Sequence, residues 1–102
     1  MTTTTITVTD IIRRYADDIA FVAEDSPATT LDSFIDQLAT AADQYDTAGI
    51  TGHDDVETAA TLLAEAGRAE NEAARDTFLK RADVLLWQIE DMTSEYRTMV
   101  GC

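Results

Sequence analysis

Four aspartates, Asp32, Asp36, Asp43 and Asp46, have the spacing that most clearly defines a surface. On a helix they project at about 0, 40, 20 and −40° around the axis and rise through about 0, 6, 16 and 21 Å along it. They form one stripe of carboxylates within roughly 80° of arc, in a segment without a Lys or Arg. The chemistry open to such a stripe is electrostatic rather than covalent. Phosphates along a nucleic-acid strand are also separated by several ångströms, so the stripe can imitate a short length of backbone and enter a basic groove on another protein. The plain alternative is the solvated side of an amphipathic helix, although a merely solvated face usually mixes signs.

Trp87 is the second candidate. It lies about 160° around a helix from Leu85, among Lys80, Asp83, Asp91 and Ser94. A large aromatic on a polar side is an interface anchor unless another helix covers it, because Trp is enriched in binding hot spots. Asp32, Asp36, Asp43, Asp46 and Trp87 are therefore the candidate partner-binding residues.

Missing groups close off most catalysis. His53 is the only histidine, so neither a metal site with two His nor a di-iron bundle with two Glu-x-x-His pairs can be built within one chain. Set before Asp54-Asp55, it reads as a surface residue of a turn. Cys102, the only cysteine, is the last residue. It has no base beside it in sequence and no partner for an internal disulfide. There is no Gly-rich phosphate loop. A Mg²⁺ site built from carboxylates alone needs closely spaced Glu pairs on one helix and a Glu-x-x-Asp pair on the next. Glu70-Asn71-Glu72 and Glu90-Asp91 come nearest, and their spacing does not match. The expectation is a protein that is not an enzyme and uses neither cofactor nor metal.

Twenty acidic residues face seven basic ones, a net charge of −13 over 102 residues. The charge is spread evenly: −3 over 1–25, −4 over 26–52, −3 over 53–69 and −3 over 70–102. Arg68, Arg75, Lys80 and Arg81 stand beside Glu65, Glu70, Glu72 and Asp76, where i,i+3 and i,i+4 pairing cancels their field. Direct nucleic-acid binding and anionic membranes are thus disfavoured, and a basic protein surface is the expected partner. No apolar run approaches the ~18–20 residues of a membrane span. Met1 to Thr9 lacks the basic residue and apolar stretch of a secretory signal. Together with the absence of internal disulfides, this suggests a cytoplasmic protein.

The elements that must position these residues are helices. Thr7 with Asp10 forms a capping box, followed by Val8, Ile11, Ile12, Tyr15, Ile19 and Val22 on one face. Ser26-Pro27 reads as the start of a second helix, with Thr30 as a rival cap. Leu31, Phe34, Ile35, Leu38, Ala42 and Tyr45 form its apolar side, and Gly49 terminates it ahead of Ile50. Asp54 with Glu57 caps a third helix whose apolar residues are mostly small. Gly67 either ends that helix, with Asn71 capping the next, or sits inside one long bent helix; a break is favoured. Phe78, Ala82, Leu85, Ile89, Met92, Tyr96 and Met99 make an a/d seam over three heptads. That seam serves the centre of a bundle or, between chains, a homodimer.

The expected fold is all-α: a single domain over 1–102, a compact four-helix bundle with helices near 8–24, 27–48, 54–66 and 71–99 and a frayed 1–6. The expected function is a small acidic, non-catalytic protein-binding module. Its sharpest form is a nucleic-acid-mimicking inhibitor of a host nuclease or defence complex, made by a phage or mobile element. The alternative is a salt-adapted structural or oligomeric protein with contacts through its last helix. Asp exceeds Glu 13 to 7 and Lys occurs once against six Arg, as solvent adaptation or a GC-rich genome would also produce.

Overall fold

The computed structural model describes residues 6–100. Of the frayed start expected over 1–6, residues 1–5 lie outside the described residues, as does Cys102, while Ile6 is partly buried against the core. Five helical segments follow in order: α1 (Val8–Ala23), α2 (Leu31–Ala48), α3 (His53–Arg68), α4 (Glu72–Leu86) and α5 (Ile89–Met99). No strand occurs among the described residues. α4 and α5 are one helix bent at Trp87-Gln88, so the architecture is an all-α bundle of four helices.

Local chemistry accounts for most of the boundaries. The Thr7 hydroxyl accepts from the Asp10 N–H at 3.1 Å, and the Asp10 carboxylate accepts from the Thr7 N–H at 3.2 Å. This reciprocal box satisfies two donors that the first turn leaves open. α2 does not begin at Ser26-Pro27. Thr30 caps it instead, in a box with Ser33. Proline only permits a helix start, whereas this box supplies the missing acceptors. Residues 26–30 form a connection tied down by Gln37, whose buried amide donates to the Ser26 carbonyl.

α2 ends on Gly49 at φ 77°. The Ile50 N–H reaches the Tyr45 carbonyl at 2.9 Å and the Gly49 N–H the Asp46 carbonyl at 3.0 Å, the paired closure of a Schellman motif. Ile50 is buried beneath the turn. The expected Asp54–Glu57 cap is absent. α3 starts one residue earlier, with Gly52 at the cap position (φ 105°) and no side-chain cap bond. The helix breaks at 69–71, and Asn71 caps α4 by accepting from the Ala74 N–H at 2.8 Å. Gly67 is not the terminator. It lies in the last turn of α3, where an added Cβ would come 3.2 Å from Leu31 Cδ2, so its smallness lets α3 approach the start of α2.

The last helix departs most from the expected seam. Leu79, Ala82, Leu86, Ile89, Met92 and Thr93 are buried. Phe78, Leu85 and Tyr96 are only partly covered, and Met99 is exposed. α4 packs chiefly on α3, while α5 packs on α1 and, less, on α2. The bend redirects the chain from one neighbour to the others.

One hydrophobic cluster draws on every helix. Tyr45, Phe34, Ile11, Ile19, Leu38, Leu63, Leu86 and Ile89 are among its fully buried members, each contributing roughly 1.5–3 kcal/mol. The Tyr45 hydroxyl sits 3.0 Å from the buried Thr93 hydroxyl, joining α2 to α5. Tyr96 meets Tyr45 edge-on at 6.1 Å and Phe21 edge-on at 6.4 Å. This aromatic run closes α5 over α1 and α2.

α1 terminates in the same closure as α2, but with Glu24 at φ 57° rather than a glycine. A residue with a Cβ is strained there. Glu24→Gly should therefore be more stable than Glu24→Gln, which removes the same charge, by roughly 0.5–1 kcal/mol. Urea unfolding measures the difference; equal stabilities would contradict the strained cap.

Candidate protein-binding surface

The four aspartates of α2 are all exposed. The apolar side, Phe34, Leu38, Ala41, Ala42 and Tyr45, is buried, so helical geometry turns the carboxylates outward. Among the described residues no Lys or Arg forms an ion pair with any of them. The stripe is not uniform, however. Asp43 and Asp46 border a groove between α2 and α3 that also contains Thr40, His53, Asp54 and Glu57. Asp32 and Asp36 lie outside that groove.

His53 is more than a turn residue. Its Nδ1 lies 3.1 Å from the Ile50 carbonyl, and its Nε2 lies 3.3 Å from Asp46 and 3.2 Å from Asp54. Only the doubly protonated ring can donate to the carbonyl and still satisfy both carboxylates. The Ile50 carbonyl does most to raise its pKa above the usual 6.5; burial opposes it, and the carboxylates of Asp54, Asp46 and Glu57 add to the rise. The imidazolium also faces a helix end whose last turn holds no basic residue, where positive charge is favoured. Asp54, expected as a cap, is used here instead. Among the described residues no group of three or more His, Cys, Asp or Glu is arranged to hold a metal ion.

Trp87 stands at the bend between α4 and α5 and is 75% exposed. No helix of the bundle covers it. It lines a cleft of about 420 Å³ with Arg14, Tyr15, Asp18, Glu90 and Asp91. The cleft and the α2–α3 groove share no lining residue, so the structure does not gather the five candidate residues into one site.

Asp83, which sequence reasoning placed only on the polar side near Trp87, anchors the wall of this cleft. It accepts from the Tyr15 hydroxyl at 2.8 Å and from Arg14 Nη1 at 3.2 Å, with its side chain 19% exposed. Burial first, and then the Asp83 hydrogen bond, push the Tyr15 phenol up to about 12, so it remains a donor at neutral pH. Three of the other six cations are engaged as well. Arg68 pairs with Glu65, Lys80 with Asp76 at 3.7 Å, and Arg97 lies 4.5 Å from the Phe21 ring centre.

No helix among the described residues is long and apolar enough to cross a membrane. Comparison with family models, curated proteins and solved structures finds no match to this chain.

The His53 contacts fix the sign of a pH effect. Because the folded pKa is raised, the stabilisation is complete below the unfolded value and is lost as pH rises through the folded one. Stability should therefore fall as pH rises above about 6.5, and His53→Gln should flatten that fall. Urea unfolding at stepped pH tests this. Parallel profiles for the two proteins would remove His53 from the account.

Proposed function

We propose that this protein is a non-catalytic acidic module that binds a basic surface on a protein partner. The observation that carries this reading is the α2 stripe. Asp32, Asp36, Asp43 and Asp46 are exposed on a helix with no basic residue, and their only cationic neighbour among the described residues is His53 at Asp46. A stripe left unneutralised by its own chain offers its full field to an oppositely charged surface. The sharpest form of the proposal is a nucleic-acid-mimicking inhibitor, occupying the nucleic-acid groove of a nuclease or defence complex in the manner of small phage and mobile-element proteins. The even spread of charge supports it, since a mimic must repel nucleic acid while attracting the proteins that bind it.

A second reading has its own observation. Among the described residues, Val84, Trp87, Met99 and Val100 are the exposed large apolar ones, and all lie along α4, the bend and the end of α5. A salt-adapted oligomer would use them for contacts and keep its carboxylates for solvent. A homodimer along the full Phe78–Met99 seam would have to compete with the packing of Ala82, Ile89 and Met92 inside the chain's own core.

Capture from host lysate identifies the partner, and two measurements then test the mode of binding. Affinity should fall steeply between about 50 and about 500 mM KCl, as screening shortens the reach of the stripe, and duplex DNA or RNA should compete. Replacing all four stripe aspartates by Asn should weaken binding by at least about tenfold. Affinity indifferent to both salt and the four substitutions would reject the proposal.

A further inference from the structure

On the reading proposed above, we infer that the cleft at the α4–α5 bend receives an arginine side chain of the basic partner. The site has two parts that guanidinium recognition uses: an aromatic face and carboxylates. Trp87 supplies an open indole, the best of the aromatic faces for a cation. Asp18, Glu90 and Asp91 line the same cleft and have no ion-pair partner among the described residues.

The cation already present does not fill this role. Arg14 is held by Asp83 at 3.2 Å and lies 5.9 Å from the Tyr15 ring centre. The chain itself thus builds one arginine–aromatic–carboxylate grouping on the wall of the cleft, and the unfilled half beside it repeats the same components. Arginine suits this arrangement better than lysine. Its planar guanidinium stacks on the indole, is weakly hydrated and can bridge two carboxylates. A second copy of this chain is a poor occupant, because a net charge of −13 on each molecule opposes association.

Trp87 is the only tryptophan, so its emission reports directly on the cleft. The test titrates the whole protein with a nona-arginine peptide and, in parallel, a nona-lysine peptide, following emission and, independently, the anisotropy of labelled peptide. Saturable emission change is expected, with nona-arginine binding at least about threefold tighter than nona-lysine. Trp87→Ala should weaken nona-arginine binding about fivefold. The triple change Asp18→Asn, Glu90→Gln, Asp91→Asn should weaken it about tenfold or more. A charge-matched triple elsewhere, Glu24→Gln, Glu70→Gln, Glu72→Gln, should cost less than about threefold, since it alters only the general field. Far-UV circular dichroism verifies that each variant keeps its helices.

Equal losses for the two triples, or emission unmoved at saturating peptide, would overturn the arginine site. If the four stripe substitutions abolish partner binding while the cleft triple leaves it intact, the site falls and the acidic-module reading stands. If neither set affects partner binding, both fail. Emission that follows self-association in sedimentation would assign the cleft to a second copy and overturn the inference.

Discussion

Thirteen uncompensated negative charges surround a core assembled from five short helical segments, and the fold exists only while apolar burial outweighs the self-repulsion of that surface. Repulsion between exposed charges is screened within a Debye length, about 10 Å at 0.1 M salt, so it acts mainly between neighbours on adjacent helices. Packing answers it locally. Alanines on α3, among them Ala59, Ala60 and Ala66, and Gly67 at its end let α2 and α4 come close. The Tyr45–Thr93 contact and the Tyr45–Tyr96–Phe21 run then draw α5 over α1 and α2. These contacts are apolar or neutral, and salt changes them little.

Four of the seven cations are engaged within the bundle. Arg14 pins α1 to α4 through Asp83, Arg97 lies over Phe21, and Arg68 and Lys80 serve neighbours on their own helices. None of these four cations pairs with an aspartate of the α2 stripe.

Much of the fold could be read from the chain because its signals are local. Periodicity exposed the buried faces of α1 to α3, the Thr7–Asp10 box set the first start, Gly49 the second stop and Asn71 the last start. The misreadings arose where local signals compete or where tertiary contact decides. Ser26-Pro27 lost to the Thr30–Ser33 box. Asp54 does not cap α3, whose cap position falls at Gly52, and its carboxylate meets His53 instead. The bend at Trp87-Gln88 carries neither proline nor glycine; it follows the change of packing partner from α3 to α1, which no local pattern announces. That change also shifted the α4 seam by one residue, from Phe78 and Leu85 to Leu79 and Leu86. The exposure of the four aspartates was legible for the same reason as the core. The grouping of Tyr15, Arg14 and Asp83 was not, because it joins residues nearly seventy positions apart.

Whether the carboxylates serve a partner or the solvent is decided most directly by urea unfolding, followed by far-UV circular dichroism, in KCl from about 0.05 to about 2 M. A binding module should fold cooperatively in dilute buffer, with most of any gain in stability complete by a few tenths molar, where screening of surface charges is already largely achieved. A protein that is unfolded in dilute buffer and grows steadily more stable up to molar salt would contradict the account, since its acidity would then belong to its solvent.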